Sequence, residues 1–175
     1  VSRSMNIQDH IRIVPGFPKD GINFYDIATL IADPEAWKHT IEMLHALAAP
    51  LKPDMLMGVE SRGFLVAAPL AMELGCGFGM IRKKGKLPGK TLSHAYALEY
   101  GEDEIELQPD LVKPGTRVLL VDDLLATGGT LAAAEKLVKQ AGAEVVGALC
   151  IIELDGLGGR DKLGCHFSSL LRCPA

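Results

Sequence analysis

The order of apolar and polar positions divides the chain into alternating strand-like and helix-like segments. Met55–Val59, Gly77–Ile81, Val118–Val121 and Glu144–Ile152 are short apolar runs bounded by polar or glycine-containing sequence, and they read as strands. Branched aliphatics crowd the third run, as in a strand buried on both faces of a parallel sheet. Between the runs, apolar residues recur every three or four positions. Asp33 is placed as an N-cap with Pro34 in the first helical position, and the helix runs to about Ala49 with Trp37, Ile41, Leu44 and Leu47 on one face. A second helix covers about Phe64 to Leu74, kinked near Pro69 and ended by Gly75, and a third covers Leu131 to Gln140.

The remaining segments are less regular. Ile7, Ile11 and Val14 predict a helix over Asn6–Val14, stopped by Pro15-Gly16. Phe17–Gly21 is a turn, and Ile22–Asp26 a short apolar-aromatic patch. Arg82–Ser93 reads as a polar loop, Ala95–Tyr100 as extended chain and Ile105–Leu107 as an edge strand. Gly156, Gly158 and Gly159 mark a loop before a last apolar run at Phe167–Leu171. With no repeat, linker or low-complexity stretch, the expectation is one α/β domain over residues 1–175, a mostly parallel sheet flanked by helices. Met5 could be the natural start, which would leave Val1–Ser4 a remnant.

Bulk properties narrow the function. The 175 residues, 48% hydrophobic and 23% charged, suit a single globular domain. A formal net charge of −4 argues against nucleic acid or an anionic membrane as the main partner. No apolar run reaches the roughly 18–20 residues of a membrane helix, and no signal-peptide pattern opens the sequence. Cys76, Cys150, Cys165 and Cys173 lack C-x-x-C or zinc spacing and read as free thiols in a reducing compartment. Buried or semi-buried thiols are the plain reading; a labile surface thiol is the alternative, for which Cys173, near the chain end, is the candidate.

The chemistry concentrates where the strand Val118–Val121 meets Asp122 and Asp123, then Leu124-Leu125, then Ala126-Thr127-Gly128-Gly129-Thr130 and a helix. Unpaired N–H groups and the dipole at a helix N-terminus favour an anion, and glycines let the backbone approach a phosphate closely. Carboxylates repel phosphate but accept hydrogen bonds from a ribose diol and can meet Mg²⁺ or its waters. A 5-phosphorylated ribose satisfies both halves. A capped turn with a solvated acidic pair is the plainer alternative. No Lys follows Gly129, so this is not a Walker-type loop.

Three further groups stand out. Glu60-Ser61-Arg62-Gly63 sits at another strand end, where Arg62 could grip pyrophosphate through its planar fork; a capping Ser61 and an exposed Arg62 are the bland reading. Arg82, Lys83, Lys84, Lys86 and Lys90 place five cations in nine residues, either a solvated loop or a basic lid. Glu99 lies between Leu98 and Tyr100, whose apolar surfaces would raise its pKa and suit it to proton transfer. Glu102, Asp103, Glu104 and Glu106 read as a solvated hairpin.

The Asp-Asp to Thr130 segment resembles the signature of the type I phosphoribosyltransferases, which bind phosphoribosyl pyrophosphate (PRPP). From about Asp9 to Leu171 the chain is similar to the adenine phosphoribosyltransferase family. The matching pieces are Pro18–Asp26, Glu60–Phe64, Arg82–Gly89, Leu98–Gly101, the signature, and Glu153-Leu154 with Gly159-Arg160. The resemblance implies a small hood and a mobile loop on the α/β domain, and the reaction adenine + PRPP → AMP + pyrophosphate in purine salvage. It also implies site roles. Phe24 and Leu154 would sandwich the purine, and the backbone around Asn23 and Tyr25 would read its edge. Ser61, Arg62, Lys83 and Lys86 would hold pyrophosphate. Asp122 and Asp123 would orient the ribose hydroxyls, and Ala126, Thr127, Gly128, Gly129 and Thr130 the 5-phosphate. Glu99 would take the proton from the attacking nitrogen. A Mg²⁺-dependent cytoplasmic homodimer, with Mg²⁺ arriving on PRPP, is implied as well. Tyr25 stands where many members have Arg, and Glu60 where many have Asp. Another purine base and a non-catalytic PRPP sensor are the rival readings.

Overall fold

A computed structural model describes residues 4–98 and 100–175. An N-terminal ribbon pairs β1 (Arg12–Pro15) with β2 (Asn23–Asp26) antiparallel, in the register Arg12 to Asp26 and Val14 to Phe24. The helix expected over Asn6–Val14 does not form. A short 3₁₀ turn, Ile7–His10, gives way to β1 because Ile13 and Val14 find strand partners in β2, and local spacing carries no record of that pairing.

Helices α1 (Ala28–Ala32) and α2 (Pro34–Ala48) follow. Asp33 caps α2 as expected, its carboxylate accepting from the N–H groups of Glu35 and Ala36. The inward face of α2 is Ala36, Thr40, Ile41, Leu44 and Ala48, whereas Leu47 is exposed. The rest of the chain is β3 (Met55–Val59), α3 (Arg62–Leu74), β4 (Gly77–Lys83), β5 (Leu92–Ala97), β6 (Glu102–Leu107), β7 (Arg117–Leu125), α4 (Gly129–Gln140), β8 (Glu144–Asp155) and β9 (Phe167–Pro174). Pro69 lies inside α3, and Gly75 ends that helix at φ +70°.

The seven strands order as β5-β6-β4-β3-β7-β8-β9. β4, β3, β7, β8 and β9 run parallel, and the β5–β6 hairpin joins β4 antiparallel. β6 is therefore interior and β5 is the edge, which corrects the edge-strand reading of Ile105–Leu107. The hairpin's pairing to β4 through Arg82 and Lys83 also extends β4 past Ile81, into the segment expected to be loop.

β7 is buried on both faces. Leu119 and Val121 pack with α2 and α3, while Val118 and Leu120 pack with Leu131 and Leu137 of α4. These two layers make a single α/β domain. β3 continues to β4 on one side and β7 lies on its other side, so the chain reverses its winding between β3 and β7. Open α/β sheets bind ligands at the carboxyl ends of strands at such a reversal. Among the described residues no helix is long and apolar enough to cross a membrane.

Candidate active site

Both strands at the reversal deliver their chemistry to its crevice. β3 ends in Glu60 and Ser61, joined by a cis peptide, before Arg62 opens α3. β7 carries Asp122 and Asp123 before the turn into α4. Gly63 lets the two loops approach, since a Cβ there would lie 2.9 Å from the Val121 carbonyl oxygen. A cavity of about 590 Å³ opens above them, lined by Ser61, Arg62, Lys83, Lys86, Asp122 and Asp123, with Glu60, Tyr96, Leu98 and Thr130 also on its wall. A smaller hollow of about 110 Å³ continues from it, bounded by Asp122 and by Leu124 through Leu131.

That hollow holds Ala126, Thr127, Gly128, Gly129 and Thr130 in the arrangement expected from sequence. Gly128 caps α4 at φ +85°, a conformation that side chains disfavour. The first-turn N–H groups of α4 have no intrahelical acceptor, so they and the helix dipole favour negative charge in the hollow.

Beside it lies the acidic pair. Asp123 is buried and its Oδ2 accepts from Arg62 Nε at 2.6 Å. Asp122 accepts from the Asp123 N–H at 2.8 Å. Burial, the Asp123 charge and a hydrogen bond with that carboxyl together push the Asp122 carboxyl well above the usual range. The solvated-turn alternative does not survive this burial. Ser61 makes no side-chain cap to α3, and Arg62 is directed into the site with its guanidinium 5.4 Å from the Phe24 ring centroid.

The basic segment divides. Arg82, Lys83 and Lys86 line the cavity, whereas Lys84 turns to Glu104 at 3.0 Å. Glu60 is the residue that sequence reasoning treated only as a departure. Its carboxylate accepts from Arg82 Nε at 3.0 Å and Lys86 Nζ at 2.6 Å. Burial acts to raise its pKa, but these bonds and one from the Lys83 N–H hold it below the ordinary value. Glu60 thereby ties the basic loop to the end of β3.

The hairpin acids are not simply solvated. Glu106 is buried, accepting from the Gly85 N–H at 2.6 Å and from the Thr91 hydroxyl, while Asp103 meets Lys83 Nζ at 3.5 Å. The antiparallel β4–β6 pairing puts these acids beside the basic segment, a contact invisible without the topology. Glu99 lies outside the described residues. Leu98 and Tyr100 are 47% and 83% exposed.

Of the residues expected to meet the base, Phe24 packs edge-on against Phe17 at 5.2 Å, and Asn23 lies at the exposed end of β2. Tyr25 points the other way: it is buried, and its hydroxyl donates to the Pro174 carbonyl at 2.5 Å. The residue at this departure from the family is therefore spent on the core. Leu154 sits at the end of β8, packed against the cluster that contains Tyr25. Cys173 is buried beside it, in line with the reading of the cysteines as buried or semi-buried thiols and against the surface-thiol alternative, because β9 pairs with β8 through Leu154.

Comparison with known proteins agrees with this geometry. The phosphoribosyl transferase domain family matches residues 27–168. An adenine phosphoribosyltransferase of Rhodospirillum rubrum is 60% identical over 95% of this chain and 98% of its own. The crystal structure of adenine phosphoribosyltransferase from Thermoanaerobacter pseudethanolicus superposes with a TM-score of 0.93 at 48% identity, covering 95% of this chain and 98% of that one. The Saccharomyces cerevisiae enzyme, solved with adenine and an imino-altritol bisphosphate, gives 0.92 at 38% identity over 94% and 96% of the two chains. The chain belongs to the phosphoribosyl transferase domain family and, within it, to the adenine phosphoribosyltransferases.

Proposed function

We propose that this enzyme joins adenine to PRPP, giving AMP and pyrophosphate in purine salvage. The observation that carries this reading is the continuity of one crevice, in which a phosphate-sized hollow, two carboxylates and a set of cations follow one another. That sequence of groups matches the 5-phosphate, ribose diol and pyrophosphate of PRPP. Ala126–Thr130 receive the 5-phosphate, Asp122 and Asp123 the ribose hydroxyls, and Ser61, Arg62, Lys83 and Lys86 the pyrophosphate. Asn23, Phe24, Tyr25 and Leu154 form the adenine side, with Tyr25 contributing through its main chain.

In the reaction the bond from C1 to pyrophosphate breaks, a bond from a purine nitrogen to C1 forms, and the nitrogen loses its proton. Positive charge grows on the ribose ring as pyrophosphate departs, so cations on the leaving group and correct placement of the base lower the barrier. Glu99 is the proposed proton acceptor. The basic loop, tied down by Glu60, would keep water from the activated sugar.

Among the described residues no three His, Cys, Asp or Glu side chains are grouped to cage a metal. A Mg²⁺ ion carried by PRPP nevertheless fits, because Asp122 and Asp123 add two carboxylates beside the phosphates, the donor set such an ion takes. Bound there it would neutralise the leaving pyrophosphate. A cytoplasmic location is proposed, consistent with four unpaired cysteines. A homodimer is proposed on family grounds.

The test is AMP formation from PRPP with each of adenine, guanine, hypoxanthine and xanthine, with and without Mg²⁺. Product from adenine alone, lost on removing Mg²⁺, is the expected result. Preference for another base would overturn the reading.

A further inference from the structure

Glu153 and the piece Gly159-Arg160, conspicuous in the sequence, have so far no task in the site. We infer that Arg160 is a positioning residue that acts through Glu153 to hold Gly159 as the back wall of the 5-phosphate hollow. This rests on the assignment of that hollow to the 5-phosphate.

Glu153 ends the buried part of β8 and is 3% exposed. Arg160 donates to both its oxygens, from Nε at 3.0 Å and from Nη2 at 3.2 Å. Arg172 Nε adds a third contact at 3.1 Å. A two-pronged bond fixes the guanidinium in its plane, and its face lies 5.1 Å from the Phe167 ring centroid. The backbone one residue earlier is thereby located. Of residues 156–162 only Gly159 is buried, so apolar packing contributes little to placing this loop.

Gly159 meets the phosphate loop backbone against backbone. A Cβ on Gly159 would stand 2.4 Å from the Ala126 carbonyl oxygen, and one on Gly128 would stand 2.4 Å from the Gly159 carbonyl oxygen. No flexible side chain lies between them to absorb a shift. A second anchor lies further along, where buried Glu135 of α4 accepts from the Gly164 N–H at 2.8 Å. The loop is thus pinned to β8 by Arg160 and to α4 by Glu135. Converging N–H groups bind an anion only while they stay aimed at one point, and small displacements of such groups are costly. Arg160 keeps that aim without touching the ligand.

The experiment compares Arg160→Gln, Arg160→Lys and Gly159→Ala with the wild type, by calorimetry with ribose 5-phosphate and pyrophosphate and by steady-state kinetics. The expected result for Arg160→Gln is a roughly tenfold rise in the Kd for ribose 5-phosphate and in KM for PRPP. The pyrophosphate Kd should stay within about twofold, and kcat at saturating PRPP within about threefold. Arg160→Lys should recover part of the loss, and Gly159→Ala should reproduce the split with Glu153 and Arg160 intact. If Arg160→Gln does not fold, the other two variants decide. Equal losses for both ligands, or a lowered Tm with unchanged ribose 5-phosphate affinity, would overturn the inference. Wild-type protein that binds pyrophosphate but no ribose 5-phosphate would instead sink the assignment of the hollow.

Discussion

Arg62 and Asp123 meet through a 2.6 Å hydrogen bond from Nε to Oδ2, and the same guanidinium lies over Phe24. One cation thus touches both the ring proposed for the base and the carboxylate proposed for the ribose. The Asp123 side chain is 8% exposed and the Arg62 side chain 51%, so the carboxylate is fixed while the guanidinium keeps an open side. That open side faces the cavity where pyrophosphate is proposed to bind.

The acidic pair should be needed for turnover. Asp122→Asn combined with Asp123→Asn should leave a folded protein whose kcat falls by at least about 100-fold, a loss near 2.7 kcal/mol. Circular dichroism establishes folding and product assay the rate. A folded double variant with near-wild-type kinetics would remove the pair from the mechanism.

Asp122 should cost the free protein stability at neutral pH. Its folded-state pKa is raised by burial and by Asp123. Between the unfolded value of about 3.9 and the raised folded value, the native state binds more protons than the unfolded one. The slope of stability against pH is then negative, so the Asp122 contribution is greatest below the unfolded pKa and is lost as pH rises. Asp122→Asn should therefore raise Tm at pH 7 by at least about 2 °C, corresponding to roughly 1 kcal/mol. The gain should shrink towards pH 4, and a scan of Tm against pH for both proteins reads it directly. A variant less stable than wild type at every pH would contradict this assignment.

Lys83 and Lys86 should matter to pyrophosphate and not to base. Both already have acidic partners, Asp103 and Glu60, so the pocket is less positive than a count of lysines suggests. Lys83→Ala with Lys86→Ala should weaken PRPP and pyrophosphate binding by about tenfold while adenine stays within a few-fold. PRPP binding to the wild type should also weaken with added salt, because part of the attraction is screened. Equal losses for adenine and pyrophosphate would make the loop purely structural.

Glu99 remains the proposed base. Glu99→Gln keeps the shape but cannot take the proton, and general acid–base assistance is commonly worth about 10²–10⁴-fold. Single-turnover rates should fall by about 100-fold or more, with KM for both substrates changed far less. A chemical step within about threefold of wild type would exclude Glu99 as the acceptor.

What the sequence revealed and concealed follows from interaction range. Asp33-Pro34 announced α2 because a cap is a local event, and Asp122–Thr130 announced the cradle because strand end, turn and helix start are contiguous. β1 was hidden because its reason for being a strand, β2, lies across the Phe17–Gly21 turn. The tasks of Glu60 and Glu106 were hidden for a similar reason: Glu60 meets Arg82 and Lys86 only once β3 pairs with β4, and Glu106 meets Gly85 and Thr91 only once β6 pairs with β4 and β5.

The bond from Tyr25 to the Pro174 carbonyl joins positions 149 residues apart. Its consequence is mechanical. The strand that carries Phe24 is stapled to β9, an edge strand of the main sheet, so loosening β9 should loosen the side proposed for adenine before it disturbs the proposed phosphate cradle. The two halves of the proposed site then have separate supports: the side proposed for the base leans on β9, and the side proposed for the phosphate on the loop that Arg160 and Glu135 hold.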